Sequence, residues 1–282
     1  MIENKKILIG VMHTTREPWL SIATKGQLEH WNFQSESNFE VIYFFSRANK
    51  FTSKLNTHIE NFRWRKGRNA SYLISYALMI ICTPFKLYQP VAHSVNEFES
   101  KISALSLKIN IPELESTMRW KKIAFLNYFL HNTKSDYVIM VTSSSILNLR
   151  VITEIINELD KRSRMVYAGP LNKAHDCDFV SGSFTIINKP AAKLLIDNLK
   201  LMPVHVNDDV AFGTAFKKLG IPIVDIKNLN INSLKQLENL SSDEINQIPH
   251  FRLKSGDIDN RQDILIMKQL TNRLGFSAKT NF

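Results

Sequence analysis

The sequence predicts a single α/β domain with a mixed, mostly parallel sheet flanked by helices. Three observations support this. The chain opens strand, helix, strand, in the order of a βαβ unit. From Ile111 onward helical and strand patterns alternate. Nearly every pattern is short and bounded by Gly, Pro, Asn or Ser. At 282 residues the chain is long enough to bury a sizeable core.

In the opening unit, Lys6 to Met12 reads as a strand, Trp19 to Trp31 as a helix and Phe39 to Phe45 as a strand. Residues 46–111 are irregular, basic and aromatic, and read as an insertion more than as repeated βα units. Pro112 then opens a helix in which Trp120, Ile123, Ala124, Leu126, Asn127 and Leu130 recur at helical spacing. The buried strand Tyr137 to Val141 follows. Ser143-Ser144-Ser145 stands at that strand's carboxyl end, where open α/β sheets bind ligands. Beyond it a helix from Leu149 to Leu159 leads to Met165 to Ala168, and the run Phe179 to Ile187 precedes a helix from Pro190 to Leu199. Asn207-Asp208-Asp209-Val210 opens a helix running to Leu219, with Gly220 as its cap before the strand Ile221 to Ile226. A tail, 227–282, carries Pro249 to Lys254 and a final helix around Gln262 to Leu274. No linker or repeat separates it, so 1–282 reads as one domain.

Lys and Arg exceed Asp and Glu by ten, a positive balance that suits phosphate-bearing partners without choosing among them. Cys82 and Cys177 are far apart, in neither a disulfide-framework nor a zinc spacing. Charged residues run from Met1 straight into the first strand with no signal-type apolar stretch, so the expected location is cytoplasmic. The apolar run from Tyr72 to Phe85 is shorter than the roughly 20 residues a membrane-spanning helix needs. It follows Arg63-Trp64-Arg65-Lys66-Gly67-Arg68. The two segments read either as a buried helix with a solvated basic end or as a peripheral anchor on an anionic membrane surface.

Several motifs match one family together. They are Thr14-Thr15-Arg16 with Trp19, Trp120-Lys121 ahead of Tyr137 to Met140, Val180-Ser181-Gly182-Ser183, and Asp208-Asp209-Val210-Ala211-Phe212-Gly213 with Lys218 to Ile221. In content and spacing they resemble the fringe and β-1,3-galactosyltransferase group, glycosyltransferase family 31, over about residues 6–225. The resemblance implies a GT-A-like nucleotide-diphospho-sugar transferase fold. It also implies an inverting transfer from a UDP-hexose or UDP-N-acetylhexosamine to a glycan or lipid-linked acceptor, as in polysaccharide or lipopolysaccharide assembly, with 46–111 on the acceptor side. The family's acidic triplet, whose last Asp binds a Mn2+ or Mg2+ ion on the diphosphate, falls on Ser143-Ser144-Ser145. Serine hydroxyls are neutral and poor ligands for a hard dication, so the resemblance leaves metal dependence open.

Sugar transfer needs a base for the acceptor hydroxyl and positive charge for the departing diphosphate. The resemblance places the base at Asp209, with Asp208 in reserve; equally, Asn207 or Asp208 reads as a helix cap. Arg252, Lys254 and Arg261 are the candidate cations, and His250 a residual ligand or a structural histidine. Thr14, Thr15 and Arg16 are candidates for base and ribose. Ser143, Ser144 and Ser145 are candidates for ribose or phosphate, and Ser181 with Gly182 for shaping the sugar pocket. Two other readings stand beside this one. The lost triplet suits a catalytically inactive relative, and the charge suits a nucleic-acid-binding protein, although no helix-turn-helix, RNP or zinc pattern is present.

Overall fold

The structure, a computed structural model, describes residues 5–14, 17–28, 38–46, 73–74, 76–77, 80, 89–95, 105–111, 113, 115–174, 177–255 and 261–275. The strands, in chain order, are β1 (Ile7–Met12), β2 (Phe39–Ser46), β3 (Gln89–Val95), β4 (Leu105–Asn110), β5 (Tyr137–Thr142), β6 (Ser145–Leu147) and β7 (Tyr167–Gly169). Then come β8 (Leu171–Ala174), β9 (Cys177–Val180), β10 (Phe184–Asn188), β11 (Ile223–Asp225), β12 (Leu229–Ile231) and β13 (His250–Leu253).

Eight strands form the central sheet in the order β11-β7-β10-β5-β1-β2-β4-β3. β1 pairs in parallel with both β2 and β5, and β2 with β4 and β7 with β11 are also parallel. β10 runs antiparallel between β5 and β7, and β3 antiparallel to β4. The mixed, mostly parallel α/β sheet that the sequence predicts is therefore present. The chain winds outward from β1 through β2 to β4, then returns to β5 on the other side of β1, so the crevice between β1 and β5 is the switch point of the sheet.

Both faces of this sheet are buried, which is why β1 and β5 read as continuous apolar runs with no polar alternation. Ile7, Ile9 and Val11 pack on one side with the helix Leu149–Arg162 and the C-terminal helix Asp263–Arg273. Leu8 points the other way, toward the helices Met118–Asn132, Lys189–Asp197 and Asp208–Lys218. The helix Met118–Asn132 is buried over much of its circumference, Arg119, Lys121 and Lys122 included, and its Phe125 stacks on Phe44 of β2 at 4.2 Å. An apolar stripe alone would not bury three basic residues; each must meet a partner inside.

Differences from the sequence reading have local causes. Part of 46–111 extends the main sheet as β3 and β4 and is not all insertion; its strands are short, and the apolar residues of β4 alternate with Ser106 and Lys108. The helix begun at Trp19 continues from Ile22 to Gln27 as a π-helix, and the rest of the expected span lies outside the described residues. After Pro112 a 3₁₀ turn, Glu115–Thr117, precedes the α-helix. The tail holds two short helices that the sequence reading missed, Leu234–Glu238 and Ser242–Gln247, the latter closed by a Ser241/Glu244 capping box. Gly220 follows the helix Asp208–Lys218 at φ 70°, as a C-terminal cap should. The segment 63–68 lies outside the described residues, as does most of the apolar run after it. No helix among the described residues is long and apolar enough to cross a membrane.

Candidate active site

A cavity of about 370 Å³ opens at the carboxyl ends of β1 and β5. His13 and Thr14 leave β1 into it, and Thr142, Ser143 and Ser144 leave β5. Its far wall is the basic tail. A second, three-stranded sheet in the order β12-β13-β6 makes this possible, because β6 begins at Ser145 and pairs antiparallel with β13. Arg252 stands opposite Ser145 in that register, and the Leu253 amide donates to the Ser144 carbonyl at 2.8 Å. Two-residue alternation along β13 sends Phe251 and Leu253 into the core and brings Arg252 and Lys254 to the cavity rim.

Arg261 completes this wall. Its guanidinium lies over the Trp19 ring at 4.3 Å, and its Nε donates to Asp263 Oδ2 at 2.8 Å, with a second bond from Nη2 to the same carboxylate. Nη2 also donates to the Leu253 carbonyl at 3.2 Å and to Ser144 Oγ at 3.4 Å. Asp263 is fully buried and accepts in addition from Ser255. On the floor, buried Lys121 donates to the His13 carbonyl at 2.6 Å and to Glu113 at 2.8 Å. Burial lowers the Lys121 pKa, and the Glu113 charge opposes the shift.

The aspartates form a separate knot close by. Lys122 Nζ lies 2.5 Å from Asp208 Oδ2 and 2.9 Å from Asp209 Oδ1. The Gly182 amide donates to the other Asp209 oxygen, Oδ2, at 2.9 Å. Asn207 caps the helix by accepting from the Val210 amide at 2.9 Å, which leaves both aspartates free of capping duty on that amide. Burial disfavours the Lys122 ammonium, but two carboxylates outweigh it and hold its pKa above the ordinary lysine value. Burial also works against the Asp208 anion, yet the closer Lys122 contact holds its carboxyl below the usual range. Asp209, with the longer contact, is pushed upward by burial and by the Asp208 charge, and is the more basic of the two.

The glycine of the Ser181-Gly182-Ser183 turn follows from this knot: a Cβ on Gly182 would lie 2.2 Å from Asp209 Oδ1 and 2.6 Å from Lys122 Nζ. Gly213 is a glycine for a similar reason, since a Cβ there would lie 2.6 Å from the Asp178 carbonyl and the helix Asp208–Lys218 could not close on β9. Tyr167 braces the same turn by stacking on Phe216 at 4.0 Å and accepting from the Val180 amide at 3.2 Å. Arg252 links the two halves of the site. It lines the cavity and feels the Asp209 charge, which opposes the downward shift that burial gives its guanidinium.

Thr14, Ser143, Ser144, Arg252, Lys254 and Arg261 thus surround one cavity, while Asp208, Asp209 and Gly182 meet beside it. Thr15 and Arg16 lie outside the described residues. Two candidates are placed elsewhere. Ser145 is fully buried, its hydroxyl held by His250 at 3.0 Å and Thr142 at 3.1 Å. His250 is likewise fully buried and stacks on Phe184 at 4.7 Å. Burial and the nearby Arg252 charge lower its pKa to about 3, so it stays a neutral strut at physiological pH. His250 shares a face of β13 with Arg252 but is covered there by Ser145 of β6 and by Phe184. Sequence reasoning missed Lys122; two adjacent acids in a motif, facing a helix with lysines among its apolar positions, was the available signal.

Among the described residues no group of three or more His, Cys, Asp or Glu side chains converges as metal ligands. A Mn2+ or Mg2+ ion at the serine turn would find two hydroxyls there, one already accepting from Arg261, with the charges of Arg252 and Arg261 nearby. Such a donor set does not fit a hard dication. A larger cavity, about 980 Å³, opens at the opposite end of β5, where Lys5 pairs with Asp160 and Lys193 with Asp197; it is remote from the switch point.

No family model matches the chain, and no curated protein sequence matches it. Among solved structures it is similar to a glycosyltransferase involved in the glycosylation of the major capsid of PBCV-1. That similarity is 10% in identity, over 94% of this chain and 99% of that one, with a TM-score of 0.43.

Proposed function

We propose that the chain is a GT-A-like glycosyltransferase that moves a sugar from a nucleotide diphosphate donor, a UDP-hexose or UDP-N-acetylhexosamine, to the hydroxyl of a glycan or lipid-linked acceptor. The observation that carries this reading is the place of the cationic cavity. It sits at the switch point between β1 and β5, where doubly wound sheets bind nucleotides, and it has a half-buried, hydrogen-bonded carboxylate beside it. The Asp-Asp-Val motif and the Ser-Gly-Ser turn, which carry the resemblance to family 31, meet each other at that carboxylate.

In this mechanism Asp209 accepts the acceptor hydroxyl's proton as the oxygen attacks the anomeric carbon from the face opposite the diphosphate. The carbon–oxygen bond to the diphosphate breaks, its electron pair passes to the phosphoryl oxygen, and the configuration inverts. Asp209 suits the task because its carboxyl is pushed up toward working pH and the Gly182 amide fixes its orientation. Asp208, held low by Lys122, remains the structural counter-charge.

Release of UDP from a panel of UDP-sugars, measured with lipid-linked and free glycan acceptors, tests the reading. Wild-type protein is expected to turn over at least one donor. Asp209→Asn should lose about 10²–10⁴ in rate and keep donor affinity. Full activity in Asp209→Asn would remove Asp209 from the chemistry. Tight UDP binding with no turnover of any donor would leave a non-catalytic relative.

A further inference from the structure

The wall facing Ser143 and Ser144 is built of cations. Arg261 is fixed in advance by the Trp19 face and by Asp263, which holds its Nε and Nη2. Its Nη1 has no hydrogen bond among the described residues, so one edge of the fork is left for a ligand. Arg252, half-buried beside it, makes no side-chain hydrogen bond among the described residues. Asp263 offsets Arg261 and Glu113 offsets Lys121. Arg252 and Lys254 remain on the cavity without a carboxylate in ion-pair range among the described residues. Arg252 and the Nη1 edge of Arg261 thus leave N–H groups open to the cavity, where a ligand can take the place of solvent. A diphosphate ester, with one negative charge on each phosphoryl group, has the charge and the forked oxygen geometry to do so.

We propose that Arg252 and Arg261, with Lys254 and the hydroxyl of Ser144, form a diphosphate clamp that does the work of a divalent cation, so that donor binding and diphosphate departure are independent of metal. The proposal rests on the glycosyltransferase reading for its substrate. As the anomeric carbon–oxygen bond breaks and the acceptor's proton passes to Asp209, the electron pair left on the phosphoryl oxygen is stabilised by the two guanidinium groups. Arginine performs this better than lysine would because its fork spans adjacent phosphoryl oxygens.

The test is calorimetric titration of the full chain with UDP and, separately, with inorganic pyrophosphate, each in EDTA and again with Mn2+. The expected result is UDP binding equal in the two conditions. Arg252→Gln and Arg261→Gln should each weaken it by about 10- to 100-fold, the loss of a charge-assisted hydrogen-bonding group. Arg261→Lys should recover only part of that loss. Arg252→Gln is the decisive variant, because it gives up no side-chain hydrogen bond among the described residues and should not lower the melting temperature. UDP binding that EDTA abolishes and Mn2+ restores would overturn the clamp, as would unchanged affinity in both glutamine variants. Sugar transfer that requires Mn2+ would uphold the glycosyltransferase reading and overturn only the clamp. Arginine-dependent binding of pyrophosphate with no affinity for any nucleotide sugar would uphold the clamp and overturn the reading.

Discussion

Lys122 is the residue on which the proposed chemistry depends without taking part in it. It neutralises Asp208 and half-neutralises Asp209 inside the fold, and its side chain is almost fully buried. Removing one partner of a buried ion pair strands the other charge, so Lys122→Met is expected to cost about 3–5 kcal/mol, read by urea unfolding. Because the Lys122 pKa is raised in the folded state, its contribution is fully present at neutral pH and is lost only as pH rises past the ordinary lysine range. Asp209 supplies a kinetic signature instead. A general base must be ionised, and its carboxyl is pushed up by burial. The acid limb of the pH profile of kcat/KM is therefore expected above the ordinary Asp value of about 3.9, with rate rising as pH rises through it. A limb at or below that value would mean that Asp209 is not the base.

At the scale of elements, the turn Ser181-Gly182-Ser183 and the helix Asp208–Lys218 act as one unit through the Gly182 amide. Gly182→Ala inserts a Cβ into the space of the Asp209 carboxylate and the Lys122 ammonium. It is expected to destabilise by about 1–3 kcal/mol and to lower turnover at least tenfold while leaving UDP affinity near the parent's; unchanged turnover would detach the turn from the carboxylate. The two motifs were each legible in the sequence, because they are local and the helix cap follows known chemistry, but their contact with each other was not. Also legible were β1, β2, β5 and the five longer helices after Pro112, each marked by an apolar run or pattern between punctuating residues. The second sheet was less legible. β6 and β12 have three residues each, too few to show a period, and the pairing of β6 with β13 joins Ser145 to Arg252 across more than a hundred positions. That non-local pairing buries His250 and Ser145 while turning Arg252 and Lys254 to the cavity, a distinction that sequence spacing alone could not make. Lys122 was missed because its partners lie on a helix far along the chain.

Over the whole molecule, two buried histidines set an acid limit to stability. Burial lowers His13 and His250 to about 3, with nearby Lys121 and Arg252 contributing respectively. In the unfolded chain both titrate at about 6.5. Their depressed pKa values contribute stability that is fully present above that pH and is lost as pH falls from there toward 3. Melting temperature is expected to decline below about pH 6, with a shallower decline in His250→Gln; an identical profile in the variant would show that His250 is solvated. Arg252, Lys254 and Arg261 bring positive charge to the switch-point cavity, which ties charge, topology and proposed substrate together. Calorimetric titration of the wild-type chain with a panel of UDP-sugars tests that connection most directly. At least one donor is predicted to bind, to be displaced by UDP, and to lose affinity in Arg252→Gln but not in Asp209→Asn. Folded protein that binds no nucleotide sugar with or without Mn2+ would contradict the assignment.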